Sequence, residues 1–162
     1  MTDVTVPVAC LLFGHQPFAT VETRKFVRWG TRMSVVALVV DDSMVIRHTI
    51  CRFLEDHGFG VESASNGIEA LEILERVLPG LIITDMQMPV MGGSELISAI
   101  KSKPATAKIP IVIVTGRSSG YDRKEARAEF TIFKDIDIQE QLEKALVAIA
   151  TQCSAKGHAS GK

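Results

Sequence analysis

The sequence predicts an α/β fold, a doubly wound sheet of five parallel strands flanked by five helices. Two observations predict it. Short runs of aliphatic and β-branched residues recur along the chain, and between them apolar residues recur at the spacing of one helix face. Such alternation indicates βαβ units, and therefore a parallel sheet that is covered by helices on both faces.

Five segments carry the strand pattern. Val35–Val40 is an unbroken apolar run, typical of a strand buried on both faces. Phe59–Ala64 is more polar, and we expect it near an edge of the sheet. The remaining strands are predicted at Leu81–Thr84, Ile109–Val114 and Phe130–Phe133.

Five helices are predicted from apolar spacing and capping residues. The second begins at a capping box formed by Asn66 and Glu69. Its inner face is expected to comprise Ile68, Leu71, Leu74 and Leu78. The other helices are predicted around Ile46–Leu54, Ser94–Lys101, Arg123–Ala128 and Ile138–Ile149.

The length and composition bound the class of protein. The 162 residues suffice for one domain with short extensions. We expect an N-terminal extension over residues 1–33, the domain over 34–150 and a polar tail over 151–162. A net charge of −1 gives no sign of affinity for nucleic acid or an anionic membrane, and no apolar run is long enough to span a bilayer. Three scattered cysteines argue against a disulfide framework or a zinc site and favour a reducing cytoplasm.

Charged and hydroxyl side chains follow four of the predicted strands. Asp41 and Asp42 come after the first strand, Asp85 after the third, Thr115 after the fourth and Lys134 after the fifth. Each residue alone has an ordinary explanation, such as capping the next helix. Ligands of open α/β sheets, however, bind at the carboxyl ends of the strands, so we expect these five residues to form one site.

The residue types at this edge favour phosphoryl chemistry. Carboxylates about 4 Å apart repel by about 4 kcal/mol at an effective dielectric constant near 20, so a cation must offset their charge. Oxygen ligands favour Mg²⁺ or Mn²⁺. One carboxylate could then attack a phosphoryl group and form an aspartyl phosphate. The hydroxyl of Thr115 and the ammonium of Lys134 are available to stabilise the phosphoryl oxygens.

The segments LVVDDSMVIR, LIITDMQMPVMGG, IVIVTG and FK, in this order, resemble the receiver domain of bacterial two-component response regulators of the stand-alone, chemotaxis type. The resemblance covers about Ser34 to Ala150 and implies a flavodoxin-like sheet with strand order 2-1-3-4-5. It implies that Asp85 is the phospho-acceptor, Thr115 the switch hydroxyl and Lys134 the phosphate-pairing lysine. The metal site that it implies comprises Asp42, Asp85 and the main-chain carbonyl of Gln87 as Mg²⁺ ligands, with Asp41 usually reaching the ion through water.

The resemblance also implies a role in signalling rather than in enzymatic turnover. A histidine kinase or phosphotransfer protein would supply the phosphoryl group, and its transfer to Asp85 and hydrolysis would be self-catalysed. Since the sequence after Lys134 has room for one helix and a tail, we expect output through contact with a downstream protein.

Two positions depart from the family pattern. Asp135 follows the lysine where receivers usually carry a proline joined by a cis peptide, and we expect a trans bond to aim the ammonium differently. Thr131 lies three residues before the lysine, where a Tyr or Phe is common. Phe130 and Phe133 are expected to point to the opposite face from Thr131. An alternative reading is therefore a receiver-like interaction module with a degenerate or non-conventional switch.

Two further classes are disfavoured by the residues after the first strand. A phosphatase with an aspartate nucleophile requires two carboxylates one residue apart, and a flavin-binding protein requires a Ser/Thr-rich phosphate loop. The sequence Asp41-Asp42-Ser43 supplies neither.

Overall fold

A computed structural model describes residues 35–116 and 127–157 of the chain. Its strands are β1 (Val36–Val40), β2 (Gly60–Ala64), β3 (Leu81–Asp85), β4 (Ile111–Thr115) and β5 (Phe130–Phe133). Its helices are α1 (Met44–Asp56), α2 (Gly67–Leu74), α3 (Gly93–Ser102) and α4 (Ile138–Gly157). The expected extension over residues 1–33 lies outside the described part of the chain.

The five strands form one parallel sheet in the order β2-β1-β3-β4-β5, which confirms the predicted fold class and strand order. Four of the five expected helices lie within the described residues. The fifth, predicted at 123–128, falls mostly outside them, and its described end at Arg127 and Ala128 is not helical.

The core consists of two apolar layers, one on each face of the sheet. Alternate residues of β1 enter different layers, as expected for a strand buried on both sides. Ala37 and Val39 pack with residues of α1 and α4, whereas Leu38 and Val40 pack with residues of α2 and α3. The more polar β2 lies at the edge of the sheet, where a strand borders only one neighbour.

The predicted inner face of α2 was right in part, because Leu71 and Leu74 pack against the core layer that includes α2 and α3. Ile68 is 42% exposed and Leu78 lies beyond the helix, whereas Gly67, Ala70 and Ile73 are buried. The tertiary contact explains the difference, because a Cβ atom added to Gly67 would lie 2.5 Å from Cγ of Met91. The helix therefore places Gly67, which has no side chain, against Met91 in the loop between β3 and α3.

The cap of α2 agrees with the sequence in part. Oδ1 of Asn66 accepts a hydrogen bond from the N–H of Glu69 at 3.0 Å, as predicted. The Glu69 carboxylate instead accepts hydrogen bonds from the N–H and the hydroxyl of Ser65. These hydrogen bonds join Ser65, the residue after β2, to the first turn of α2.

Val90 carries backbone strain in the loop between β3 and α3. Its φ angle is 71°, the one positive value at a non-glycine residue in the described part of the chain, and its side chain is 83% exposed. A left-handed conformation is unfavourable for a β-branched residue, and the exposed side chain offers little packing in return.

We expect Val90→Asn to raise the free energy of unfolding by about 1 kcal/mol, since asparagine tolerates the left-handed region far better than valine. Val45→Asn is the matched control, because Val45 is also exposed but lies in α1 with an ordinary φ. Urea unfolding would measure both. An equal change in the two variants would show that strain at Val90 is not the cause.

Candidate functional site

The sheet brings the predicted acidic residues together at the carboxyl ends of its strands. Asp41 and Asp42 follow β1, and Asp85 is the last residue of the neighbouring β3. One carboxylate oxygen from each of the three residues lies within 4.8 Å of the others. Asp41 and Asp85 are 1% and 4% exposed, whereas Asp42 is exposed.

Helix capping does not account for the acidic pair after β1. The N-cap of α1 is Ser43, whose hydroxyl accepts from the N–H of Ile46. Asp41 instead accepts the N–H of Ser43 on Oδ1 at 2.8 Å, which fixes the direction of its carboxylate. Neither Asp41 nor Asp42 is therefore the N-cap of α1, and helix capping does not explain why both residues follow β1.

Lys134 places its ammonium between the two buried carboxylates. Nζ lies 2.7 Å from Oδ2 of Asp85 and 2.9 Å from Oδ2 of Asp41. The main-chain N–H of Lys134 donates to the carbonyl of Thr115 at 2.9 Å, which anchors the residue at the end of β4. Burial alone would lower the pKa of Lys134, but hydrogen bonds and charge from Asp85 and Asp41 outweigh it and raise that pKa.

The Lys134–Asp135 peptide is trans, like every other peptide bond of the described residues. A trans bond was expected to aim the ammonium differently from the family pattern, and with this trans bond Nζ donates to Oδ2 of Asp85. The turn after β5 and the long lysine side chain direct the ammonium into the cluster.

The geometry of Asp41 fits a divalent cation. Burial raises the pKa of Asp41 above its ordinary value of 3.8, and the nearby Lys134 and Ser43 N–H offset only part of that effect. Oδ2 of Asp41 is buried and accepts no well-directed hydrogen bond from the described residues, although the Lys134 ammonium lies close to it. A buried carboxylate oxygen whose close partner is an ammonium, within an all-oxygen donor set, suits Mg²⁺ or Mn²⁺.

The other predicted residues lie around this cluster. Thr115 ends β4 next to β3 and is buried. The N–H of Gln87 donates to Oδ1 of Asp85 at 3.3 Å, which places Gln87 at the rim of the site. Gly93 lets α3 approach this loop, since a Cβ atom there would lie 2.2 Å from the carbonyl oxygen of Asp85.

Two residues at the site escaped the sequence reasoning. Nη1 of Arg47 donates to the carbonyl of Asp41 at 2.5 Å. The amide of Gln141 hydrogen-bonds the main chain of Phe133, directly before Lys134. Arg47 ends the segment LVVDDSMVIR, but its contact with the Asp41 carbonyl was not predicted, and Gln141 lies outside the four quoted segments.

The orientation of β5 corrects one expectation. Phe130 and Ile132 pack in the core layer that includes α1 and α4, so Phe130 does point away from the face of Thr131. Phe133 shares the face of Thr131, because residues two apart in a strand lie on one side. Thr131 itself is exposed.

Residues 37–146 match the family of the response regulator receiver domain. The match covers more than half of the chain. The chain belongs to this family.

Segments of larger proteins are similar to this chain. It is 36% identical over 87 residues to the response regulator Rre1 of a Synechocystis species, covering 53% of this chain and 38% of that protein. It is 35% identical over 121 residues to the gliding motility regulatory protein of Myxococcus xanthus, covering 72% of this chain and 15% of that protein. The chain therefore spans well under half the length of either relative.

Solved receiver structures share the fold. The chemotaxis response regulator CheY4 of Vibrio cholerae is 32% identical, with a TM-score of 0.65 and coverage of 72% of this chain and 98% of that one. The receiver domain of the sensor histidine kinase PA1611 from Pseudomonas aeruginosa is 23% identical, with a TM-score of 0.66 and coverage of 73% and 98%. None of the helices in the described residues is long and apolar enough to cross a membrane.

Asp41→Asn should stabilise the receiver domain when no divalent cation is present. Because the pKa of Asp41 is raised in the folded state, ionisation of this group opposes folding as the pH rises above about 3.8. We expect the variant to gain stability over the unchanged chain at about pH 7 by more than ~0.5 kcal/mol and to lose that advantage near about pH 4.

Asp42→Asn is the matched control, because Asp42 is exposed. Its free energy of unfolding should change by less than ~0.5 kcal/mol. Chemical unfolding of the three proteins across this pH range, in the presence of a chelator, makes the comparison. A pH-independent gain for Asp41→Asn would contradict the electrostatic explanation.

Proposed function

We propose that this chain is a phospho-accepting receiver that takes a phosphoryl group onto Asp85 and signals through protein contact. One observation carries the proposal: the Asp85 carboxylate ends the central strand between an ammonium at 2.7 Å and two further carboxylates. The ammonium is placed to stabilise the incoming phosphoryl oxygens, and the neighbouring carboxylates are suited to hold a cation.

The transfer step needs a carboxylate of Asp85 as nucleophile. One of its oxygens forms a bond to phosphorus while the bond from phosphorus to the donor breaks, and the donor leaves with the electron pair. Lys134 then pairs with a phosphoryl oxygen in place of the free carboxylate, and the Thr115 hydroxyl donates to another. Attack of water on phosphorus would release inorganic phosphate and regenerate the carboxylate.

Asp41, Asp42 and Asp85 would hold Mg²⁺ or Mn²⁺, together with the main-chain carbonyl of Gln87. The structure of the PA1611 receiver domain is described with a magnesium ion coordinated in its active site cleft. When bound, the ion supplies positive charge for the phosphoryl oxygens and offsets the repulsion within the acidic cluster.

We propose the partners that the resemblance to receiver domains implies. A histidine kinase or phosphotransfer protein would donate the phosphoryl group, and a downstream protein would read the phosphorylated surface. We propose that this occurs in the cytoplasm without direct contact to nucleic acid. The reaction makes the chain a signalling protein whose catalysis is confined to its own Asp85.

A specific observation favours a non-conventional switch as a second candidate. Thr131 is exposed and lacks the aromatic ring that commonly occupies this position of receivers. The main-chain N–H and carbonyl of Phe133 are both hydrogen-bonded to Gln141. These features favour a β5 that stays in place on phosphorylation.

The proposed phospho-acceptor can be tested with acetyl phosphate and Mg²⁺. We expect one phosphoryl group on Asp85 by mass spectrometry of peptides, and none in the Asp85→Asn variant. Omitting the divalent cation should also abolish labelling, because the cluster then repels the anionic donor.

Asp56→Asn is the matched control for this experiment, since Asp56 is exposed at the end of α1 and lies outside the acidic cluster. It should be labelled as fast as the unchanged chain. Circular dichroism would show that Asp85→Asn is folded. Labelling of the folded Asp85→Asn variant at another residue would refute the assignment.

The switch can be tested by amide NMR with Mg²⁺ and a beryllium fluoride mimic of the phosphoryl group. We expect larger shifts in the loops after β3 and β4, at Gln87 and Gly116, than across Phe130–Phe133. The Asp85→Asn variant under the same conditions controls for unspecific binding. Shifts across β5 that equal those in the loops would restore the conventional switch.

A further inference from the structure

Gln141 closes the open edge of the sheet beside Lys134. In the strand order β5 is an edge strand, so its outward main-chain groups have no neighbouring strand to pair with. Oε1 of Gln141 accepts the N–H of Phe133 at 3.1 Å, and Nε2 donates to the carbonyl of Phe133 at 3.0 Å. The side-chain amide thus forms the two hydrogen bonds that the main chain of a neighbouring strand would form with Phe133.

The same amide holds the turn that carries Lys134. The N–H of Ile136 donates to the carbonyl of Phe133 at 3.3 Å, which makes Lys134 and Asp135 the central residues of a turn. Nε2 of Gln141 also donates to the carbonyl of Asp137 at 3.1 Å. Gln141 therefore bonds the main chain on both sides of the turn.

Lys134 is then constrained from two directions. Its own N–H bonds the carbonyl of Thr115 on the inner side, while Gln141 bonds Phe133 on the outer side. With the backbone fixed at both points, the side chain reaches Oδ2 of Asp85 at 2.7 Å from a turn with a trans peptide and no proline.

We propose that Gln141 is a positioning residue that holds the Lys134 ammonium on Asp85 during phosphoryl transfer. The inference rests on the proposed function. Gln141 does not touch the reacting atoms, and its effect on the reaction passes entirely through the Lys134 turn. Small losses of alignment in a catalytic group lower a rate markedly, so the amide contributes to the transfer rate.

The test compares labelling rates of Asp85 by saturating acetyl phosphate and Mg²⁺ in four proteins: the unchanged chain, Gln141→Met, Lys134→Met and the double variant. Methionine keeps the length of the side chain and removes its hydrogen bonds. We expect Gln141→Met to slow labelling about tenfold. The double variant should be no slower than Lys134→Met, because a residue that acts through Lys134 has no further effect once Lys134 is gone.

Gln139→Met is the matched control, since Gln139 is exposed on the same turn of α4 and should be labelled at the rate of the unchanged chain. The dissociation constant for Mg²⁺ alone, measured by calorimetry, should change less than about twofold in Gln141→Met, because the carboxylates are untouched. Should circular dichroism show that Gln141→Met is unfolded, Gln141→Glu takes its place. A carboxylate accepts from Phe133 but cannot donate to the carbonyls of Phe133 and Asp137.

The outcomes separate this inference from the proposed function. An unchanged chain without labelling on Asp85 would overturn both. Normal labelling of the unchanged chain together with an undiminished rate in Gln141→Met would overturn the positioning role alone. An equal slowing by Gln141→Met in the presence and absence of Lys134 would also overturn it, since the amide would then act by another route.

Discussion

Electrostatic repulsion among Asp41, Asp42 and Asp85 is the constraint on which the site depends. Two of these carboxylates are buried, where removal from water is costly, and all three lie close to one another. Within the described chain, the Lys134 ammonium offsets part of this charge, and one oxygen of Asp41 is left without a well-directed donor. The fold thus holds a cluster of negative charge whose repulsion a bound divalent cation would offset.

The sheet supplies the rigidity that such a site requires. β1 and β3 are neighbours and end at the same edge, and the apolar layers on both faces leave their strands little freedom to separate the carboxylates. Gly93 allows α3 to begin directly against the carbonyl of Asp85. The stability of the core therefore maintains the close approach of like charges.

In this receiver domain, Lys134 contacts Asp85 although Asp135, and not a proline, follows the lysine. A trans Lys134–Asp135 peptide replaces the pattern expected for the family, yet Nζ still donates to Asp85. The turn is tied instead by the side chain of Gln141 to the main chain around it. The matched segment makes up 15% of one relative and 38% of another, so these relatives differ widely in length.

The sequence by itself determined the parallel α/β sheet and the edge position of β2, because these follow from local apolar patterns. The strand order came from the resemblance to receiver domains. The sequence also placed Asp41, Asp42, Asp85, Thr115 and Lys134 after strands that end at one edge of the sheet. It did not determine which residues of α2 are fully buried. Gly67, Ala70 and Ile73 are buried and Leu71 and Leu74 only partly, and the close approach of Gly67 to Met91 favours this orientation. It also did not reveal Gln141 or the path of Lys134. The path of Lys134 depends on a contact with Asp85 across the sheet, and the Gln141 contacts depend on the turn between β5 and α4, whose geometry the apolar spacing does not specify.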